Sequence, residues 1–399
     1  MTKQLTTALL LILMITPCLT WAQKKELNQA RSYIKSGKEK ELEKAAQLMA
    51  DLLKDQKNRE NKKVYLTWFD AVRGLYLQAN ERLYLKQKQD TAQFFGLNHK
   101  MFTILETLDS IEMRPDTKGR VNLEYRKKHA EILNSYRANL FNGGTYHLRK
   151  GELKKAFDYF EFYIDCTRQP VFTGYDYDSL DTRMPEAGYW ATYCGYKLND
   201  AVLTLRYHKL ALRDSSKASF TLQYTAEARR WLKDQELYLQ TLEEGFRLYP
   251  TFSYFFPRLI DAYSDKGEYE KALAVADSAI AICDTCEIYL FAKSTMLFRL
   301  GRYAESIKVS DHIIAINPQL AEAHFNAGTG YLNLALKLDE RKDKKKLRQL
   351  YQKARPYMEH YRQLMPAEKD KWGPPLYRIY LNLNMGKQFD EIDRILKQQ

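Results

Sequence analysis

Apolar residues along most of this sequence follow the spacing of paired short helices that recur at a regular interval. One unit shows this clearly, with an apolar face at i, i+3, i+4 and i+7 formed by Phe256, Leu259, Ile260 and Tyr263. That spacing places the four side chains on one side of a helix. Polar residues and a glycine at 265–267 end this stripe, and a second apolar stripe follows. The pattern predicts two amphipathic helices per unit.

Glycine and proline mark the interval. A 34-residue interval separates Gly267 from Gly301, and twice that interval separates Pro250 from Pro318. Both pairs fit one register, whose units begin at Pro185, Ser219, Ser253, Glu287 and Ala321. Because two short helices cannot each bury an apolar face alone, neighbouring pairs must stack to bury a continuous core. The sequence therefore predicts an all-α repeat fold.

The residues at the packing positions resemble the tetratricopeptide repeat (TPR) family, which places aromatic, small and proline residues at fixed points of a 34-residue unit. The best-matching unit carries Phe256, Tyr263, Ala272, Ala276 and Ala279. The resemblance covers residues 137–368 in good register, and it implies a right-handed superhelical solenoid of antiparallel helix pairs. Three units replace the family's small alanine at position 20, with Thr204, Tyr238 and Ser306. Less close packing is expected there.

The interval divides the chain into four predicted segments. Residues 1–22 form a signal peptide, 23–136 degenerate N-terminal helical repeats, 137–368 the repeat array, and 369–399 a C-terminal capping helix pair. Two insertions interrupt the array, at about 171–184 and within about 332–353, and each adds 14 residues to the length expected of its unit. For the second insertion we expect two extended helices, with a turn near Asp339–Asp343 and three consecutive lysines at the tip.

The N-terminus has the pattern of a secretory signal. Lys3 is the only charged residue as far as Gln23, an apolar run follows it at 9–15, and small residues precede Gln23 by one and three positions. The run is shorter than the about 20 residues that cross a bilayer. We expect cleavage after Ala22 and export to the periplasm or cell surface. An uncleaved anchor and a lipoprotein at Cys18 are the alternatives, although a proline stands where a lipoprotein needs a small residue.

Composition adds a basic charge balance to this picture. The 399 residues include 63 Lys and Arg and 50 Asp and Glu, a net charge of +13, and 45% are hydrophobic, which excludes a disordered chain. A basic surface can indicate nucleic acid or an anionic membrane. Export argues against nucleic acid. An acidic protein partner or an anionic surface stays open, and a solvated helical exterior is the simpler interpretation.

Candidate chemistry is sparse. Cys283 and Cys286 form the one closely spaced cysteine pair, for which a local disulfide and free thiols are both open, whereas a redox or metal role lacks the context it needs. Cys166 and Cys194 could pair across the first insertion. The acidic loop that begins at Asp176 fails the calcium-loop pattern. No metalloprotease, nucleophile-elbow or phosphate-loop motif is present. We predict no enzyme activity, no cofactor and no metal.

The remaining candidate is the concave face, which the resemblance assigns to positions 2, 5, 9, 12 and 13 of each first helix. These positions are aromatic with scattered charges, including Asp261, Asp265 and Arg299. Tyrosine, tryptophan and arginine dominate binding hot spots. The competing interpretation is that such residues pack against neighbouring units. The predicted partner-binding residues are Phe141, Arg149, Tyr189, Tyr193, Tyr196, Arg230, Trp231, Phe291, Phe298 and Phe325.

Two functions of different classes follow. The first is a non-catalytic exported scaffold that binds a protein or an extended peptide segment in this aromatic and basic groove, without nucleic acid and without a transmembrane span. The alternative is a cell-surface protein that binds carbohydrate or another nutrient, as starch-binding outer-membrane proteins with similar repeats do. A toroidal helical enzyme is disfavoured by the strict 34-residue register.

Overall fold

The computed structural model of the chain describes residues 24–397, so the predicted signal peptide and Cys18 lie outside the described residues. Every regular element within this range is a helix. This confirms the predicted all-α class. No helix in the same range is both long enough and apolar enough to cross a membrane.

The chain divides into two compact units, residues 1–233 and 234–399. In the described part of the first unit, short 3-10 turns at 56–58, 166–168 and 170–172 connect some of the helices. The helices are α1 (24–36), α2 (Glu39–Leu52), α3 (Lys62–Tyr84), α4 (Thr91–Glu112), α5 (Arg126–Tyr136), α6 (Ala138–Arg149), α7 (Leu153–Asp165), α8 (Tyr177–Leu180), α9 (Met184–Lys197), α10 (Ala201–Arg206), α11 (His208–Ala211) and α12 (Ala218–Trp231).

The second unit continues the alternation of helices and short turns. Its helices are α13 (Gln235–Leu248), α14 (Phe255–Asp265), α15 (Tyr269–Ile280), α16 (Glu287–Arg299), α17 (Tyr303–Ile316), α18 (Ala321–Leu336), α19 (Lys344–Leu364), α20 (Lys369–Leu383) and α21 (Gly386–Lys397). Within each unit, successive helices pack side by side.

The predicted 34-residue interval is the interval at which the second helices begin. The second helices α10, α13, α15 and α17 start at Ala201, Gln235, Tyr269 and Tyr303. Each start lies 34 residues after the start of the previous second helix. Two residues ahead of each start the backbone turns left-handed, with φ of 54°, 59°, 71° and 72° at Asn199, Lys233, Gly267 and Gly301. A left-handed residue ends a helix and reverses the chain. The backbone therefore repeats the turn even where glycine is missing.

Helices α9 and α10 approach closely where Gly195 faces Thr204, which stands at position 20 of its unit. A Cβ atom on Gly195 of α9 would lie 2.4 Å from the backbone nitrogen of Thr204 in α10. The Thr204 side chain is fully buried, and its hydroxyl donates to the carbonyl of Asp200. The structure therefore differs from the looser packing expected at Thr204, because the hydroxyl is satisfied within its own helix.

A serine at position 20 is accommodated by a second route. The Ser294 hydroxyl of α16 lies 3.3 Å from that of Ser306 and 2.7 Å from that of Ser310, both in α17, and all three residues are fully buried. Buried hydroxyls are tolerated when each finds a hydrogen-bond partner. Ser306 therefore joins the two helices through a polar network.

The first insertion folds around a buried arginine. The guanidinium of Arg137 lies 3.8 Å from the ring centres of both Tyr163 and Tyr177, and it forms an ion pair with Asp181 at 2.5 Å. Burial would raise the pKa of Asp181, but hydrogen bonds from Tyr163 and Arg137 hold it below its usual value. Two carboxylates of the acidic loop therefore form ion pairs within the protein. Asp181 pairs with the buried Arg137, and Asp178 pairs with the exposed Arg213.

Candidate functional site

Aromatic side chains from α9 and α12 form a stacked cluster in the first unit. The Tyr196 ring lies 4.4 Å from that of Tyr224 and 5.8 Å from that of Trp231, with interplanar angles of 21° and 11°. Tyr193 meets Tyr224 edge-on at 5.9 Å. Tyr193 and Tyr196 lie three residues apart, on one face of α9. Tyr224 and Trp231 lie seven residues apart, on one face of α12. We call Tyr193, Tyr196, Tyr224 and Trp231 the aromatic ladder.

The aromatic ladder has a buried base and a partly open edge. Tyr224 is buried, whereas Tyr193, Tyr196 and Trp231 are half-buried. Burial, and then a hydrogen bond with Tyr189, raises the pKa of Tyr224 far above its ordinary value. The Lys197 ammonium lies 5.6 Å and 5.8 Å from the centres of Tyr193 and Tyr196. The open edge therefore offers aromatic surface beside a positive charge.

Two predicted partner-binding residues belong instead to the core. Phe141 is 8% exposed and packs against Phe160 and Tyr163, at 5.4 and 5.6 Å. Tyr189 is 7% exposed and packs against Trp190 at 4.9 Å. Little of either ring is exposed, because neighbouring side chains already cover most of the surface of Phe141 and Tyr189. Their positions in the register are those of the groove, but neighbouring aromatic side chains cover them.

The predicted arginines differ in their surroundings. Arg149 is exposed at the end of α6. Arg230 donates from Nε and Nη2 to one carboxylate oxygen of Glu227, at 2.9 and 2.6 Å, one turn earlier on α12. That ion pair holds the Arg230 guanidinium against its own helix.

In the second unit, a cavity of about 550 Å³ opens between α14 and α16, the first helices of consecutive pairs. Most of the residues that line the cavity are apolar. The charged residues of the lining come from two helices. Asp261 and Asp265 lie one turn apart on α14, and Arg299 lies near the end of α16. The apolar lining includes Phe256, Ile260, Phe291, Ala292 and Met296.

The charged groups of this cavity are exposed. No ion pair joins Asp261, Asp265 or Arg299 to another residue in the described range 24–397. The cavity thus combines an apolar floor with two carboxylates and a guanidinium that face solvent. This is the arrangement of a site that takes an apolar group and orients it by a few polar contacts.

The structure separates the three predicted phenylalanines of this unit. Phe291 lines the cavity. Phe298 packs edge-on against Tyr303 at 5.2 Å, and Phe325 lies 5.1 Å from Tyr361. Both contacts are made to second helices. Only Phe291 of the three is placed with Asp261, Asp265 and Arg299.

Sequence reasoning missed several residues of both sites. Tyr224 is the base of the aromatic ladder, and Phe256, Ile260 and Met296 line the cavity, yet none of them occupies an assigned groove position. Phe256 and Ile260 belong to the apolar packing stripe of their unit. The signal available was their size: a large apolar side chain at the edge of a packing stripe can serve both the core and a neighbouring cleft.

The structure describes four cysteines, Cys166, Cys194, Cys283 and Cys286. A disulfide joins Cys283 and Cys286, with a Cα–Cα distance of 5.5 Å, and so connects the end of α15 to the start of α16. Cys166 and Cys194 do not pair; both are buried free thiols, and burial raises the pKa of Cys194 to about 12. Within residues 24–397, no group of three His, Cys, Asp or Glu side chains is placed to hold a metal ion.

Comparison with known proteins finds likeness in structure alone. No family model matches the chain, and no curated protein matches it. The C-terminal part of a TPR-containing protein from Cytophaga hutchinsonii is 13% identical with a TM-score of 0.43, over 63% of this chain and 92% of that one. MamA is 16% identical with a TM-score of 0.36, over 47% and 95%. Pseudomonas aeruginosa PilF is 14% identical with a TM-score of 0.34, over 62% and 97%.

The fold assignment follows from the chain's own helices. Second helices recur at the 34-residue interval, each preceded by a left-handed residue, and the helices pack in sequential order within each unit. Position 8 and position 20 meet across the two helices of a pair, as Ser294 and Ser306 show. In the spacing and packing of its helix pairs, the chain has a tetratricopeptide-like fold.

Proposed function

We propose that this chain is a non-catalytic scaffold that holds an extended segment of a partner protein against the first helices of its pairs. One observation carries the proposal: the cavity between α14 and α16 joins an apolar floor to exposed charges of both signs. Its volume of about 550 Å³ lies within the range of sites that bind compact ligands or clusters of side chains.

The charges of this cavity suit a peptide better than a purely apolar ligand. Asp261 and Asp265 can accept hydrogen bonds from a cationic side chain or from backbone amides, and Arg299 can donate to carbonyls or a carboxylate. A side chain of the partner then enters between Phe256 and Phe291. This combination supplies an apolar anchor and polar contacts that fix its direction.

The aromatic ladder supports the same proposal in the first unit. Tyr193, Tyr196 and Trp231 are half-buried and held by ring stacking, so little side-chain freedom is lost when a partner covers them. Rigid aromatic side chains with an open edge are typical of binding hot spots. Export to the periplasm or cell surface is part of the proposal and rests on residues 1–22. Its test is the N-terminal sequence of the mature protein, for which we expect Gln23.

Site-specific photo-crosslinking tests the proposed surface. A photoreactive amino acid replaces Thr295, which lines the cavity, and in a control chain it replaces Lys308, which is exposed on the second helix α17. We expect a protein adduct from position 295 in cells, resistant to nuclease, and none of the same mass from position 308. Equal adducts from both positions, or an adduct that nuclease removes, would contradict the proposal.

Affinity for the partner identified in this way provides the second measurement. We expect Phe291→Ala to weaken binding about tenfold or more, since it removes one wall of the cavity. Phe389→Ala is the matched control, because Phe389 is an equally large half-buried side chain on α21, away from the first helices of the array. An equal loss from both variants would assign the effect to the fold and not to the cavity.

A further inference from the structure

The hairpin between α18 and α19 extends beyond the packed part of the second unit. The last buried residue of α18 is Ala335 and the first of α19 is Tyr351. None of the fifteen residues at 336–350 is buried. We call this segment, 336–350, the basic tip.

The basic tip concentrates positive charge. It contains three acidic and seven basic residues, a net charge of +4 in fifteen residues, against +13 for all 399. The basic residues are Lys337, Arg341, Lys342, Lys344, Lys345, Lys346 and Arg348. Like charges at this density repel one another, and that repulsion is relieved when an anionic surface approaches.

Two of the three acidic residues are occupied in holding the turn. Asp339 accepts hydrogen bonds from the backbone amides of Arg341 and Lys342, at 2.8 and 2.9 Å. Asp343 accepts from the amide of Asp339 and forms an ion pair with Lys346 at 3.5 Å. These contacts fix the turn and do not neutralise most of its cations.

Five cations of the basic tip therefore have no carboxylate within ion-pair distance in the described range of the chain. They are Arg341, Lys342, Lys344, Lys345 and Arg348. Lys337 lies apart from them, because its ammonium donates to the carbonyl of Gly301 and covers the Tyr303 ring at 4.7 Å. The five cations are exposed, at the turn before α19 and in the first two turns of that helix.

An exposed apolar side chain stands beside these charges. Leu336 is 55% exposed at the end of α18, and Leu338 and Leu347 are half-buried within the same segment. Cations on flexible stems next to a leucine are the combination that binds at the headgroup boundary of an anionic bilayer. Five of the seven basic residues are lysines, which bind as point charges, whereas oriented recognition of carboxylates is typical of paired arginine donors.

We propose that the basic tip docks this chain onto the anionic headgroup surface of a phospholipid membrane. The attraction is electrostatic, it falls off within a Debye length of the surface, and Leu336 adds apolar contact at the headgroup boundary. This proposal is independent of the cavity between α14 and α16, which lies on other helices.

Vesicle sedimentation tests the proposal on the full mature chain. The probes are vesicles of phosphatidylcholine alone and of phosphatidylcholine with about a third phosphatidylglycerol, at low and at high salt. We expect binding to the anionic vesicles only, and weaker binding at high salt. The variant Lys342→Gln/Lys344→Gln/Lys345→Gln should bind about tenfold to a hundredfold less well, since each lysine near the surface contributes to the attraction.

The matched control changes the same net charge elsewhere. Lys35, Lys38 and Lys40 are exposed near the junction of α1 and α2, and their replacement by glutamine should leave vesicle binding within about twofold. An equal loss from both triple variants, or equal binding to neutral vesicles, would overturn the proposal.

A further pair of measurements separates lipid from other polyanions. Leu336→Ser should weaken binding to anionic vesicles about threefold or more and leave retention on immobilised poly-glutamate or DNA unchanged, because only the bilayer offers an apolar boundary to the leucine. If the chain binds poly-glutamate or DNA strongly through the basic tip and does not bind vesicles, the membrane proposal is overturned. The partner of the basic tip would then be an acidic protein or a nucleic acid. Circular dichroism confirms that each variant is folded.

Discussion

The rings of Tyr196 and Trp231 lie parallel, 5.8 Å apart, although the two residues belong to successive repeats. Their contact joins α9 to α12 at the open edge of the aromatic ladder. Stacked aromatic pairs contribute about 0.5–1.5 kcal/mol beyond the area they bury. The relationship thus bears on stability as well as on binding.

A double-mutant cycle measures this contact. We expect Tyr196→Ala and Trp231→Ala each to destabilise the first unit, and the double variant to lose about 1 kcal/mol less than the sum of the two. The measurement is urea unfolding followed by circular dichroism. Tyr84 supplies the control, because it is 85% exposed and its change to Ala should add independently to either single variant. Full additivity of Tyr196→Ala and Trp231→Ala would contradict the stacking.

The buried guanidinium of Arg137 should be essential to the first unit. Arg137→Met removes an ion pair to Asp181 and two ring contacts, and leaves Asp181 and Tyr163 without their cationic partner. Breaking a buried pair on one side costs about 3–5 kcal/mol. We expect a loss in the free energy of unfolding near the lower end, since Asp181 keeps some solvent contact.

Arg213→Met is the matched control for that change. Arg213 pairs with Asp178 of the same insertion, but both side chains are about half exposed. Exposed pairs contribute about 0–1 kcal/mol, so this variant should unfold almost as the unchanged chain does. Similar losses from Arg137→Met and Arg213→Met would show that burial does not set the strength of the first pair.

Helix approach at Gly195 predicts a large effect from one methyl group. Gly195→Ala would place Cβ 2.4 Å from the backbone nitrogen of Thr204, which cannot move without separating α9 from α10. We expect a loss of about 2 kcal/mol or more. Gly96→Ala is the control, because a Cβ on Gly96 in α4 would meet nothing within 4 Å, and there alanine should stabilise by up to about 1 kcal/mol. Thermal melts of both variants provide the comparison.

Acid should destabilise the first unit through His129. Burial, with a smaller contribution from Lys128, lowers the pKa of His129 from 6.5 to about 4. The unfolded chain therefore binds a proton near pH 6.5 while the folded one does not, so the stabilisation is complete above pH 6.5 and is lost as pH falls toward 4. The loss is about 3 kcal/mol at most, at about 1.4 kcal/mol per pKa unit.

The variant His129→Phe tests the origin of that loss. It keeps a ring beside Phe69 and Tyr125 but cannot bind a proton, so its stability should fall less steeply between pH 6.5 and 4. His312→Phe, at an exposed histidine, should retain the original slope. Denaturant midpoints across that pH range measure both. An unchanged slope in His129→Phe would assign the acid sensitivity to other groups.

The repeat architecture could be predicted from the sequence because it depends on local spacing. Helical stripes, glycines and prolines recur at the 34-residue interval, and each is visible in a short window. Fold class and helix order are therefore encoded in patterns that need no knowledge of distant contacts.

The exposure of the candidate binding residues could be predicted only in part, because it depends on residues far along the chain. Phe141 occupies a groove position, yet Tyr163 of the next helix covers it. Phe298 and Phe325 are held by tyrosines of second helices. Phe291, by contrast, remains at the cavity wall. A register position specifies the face of the helix, and the neighbouring side chains decide what that face presents.

The left-handed residues at the repeat turns have a consequence for recognising such chains. Two of the four turns use Asn199 and Lys233, whose side chains make this conformation costlier than glycine does. The periodicity is thus carried by the shape of the main chain, and glycine marks only half of these turns. Divergent members of such a lineage can lose the signature letters while they keep the geometry, and a comparison of backbone torsions will find them after a comparison of letters has failed.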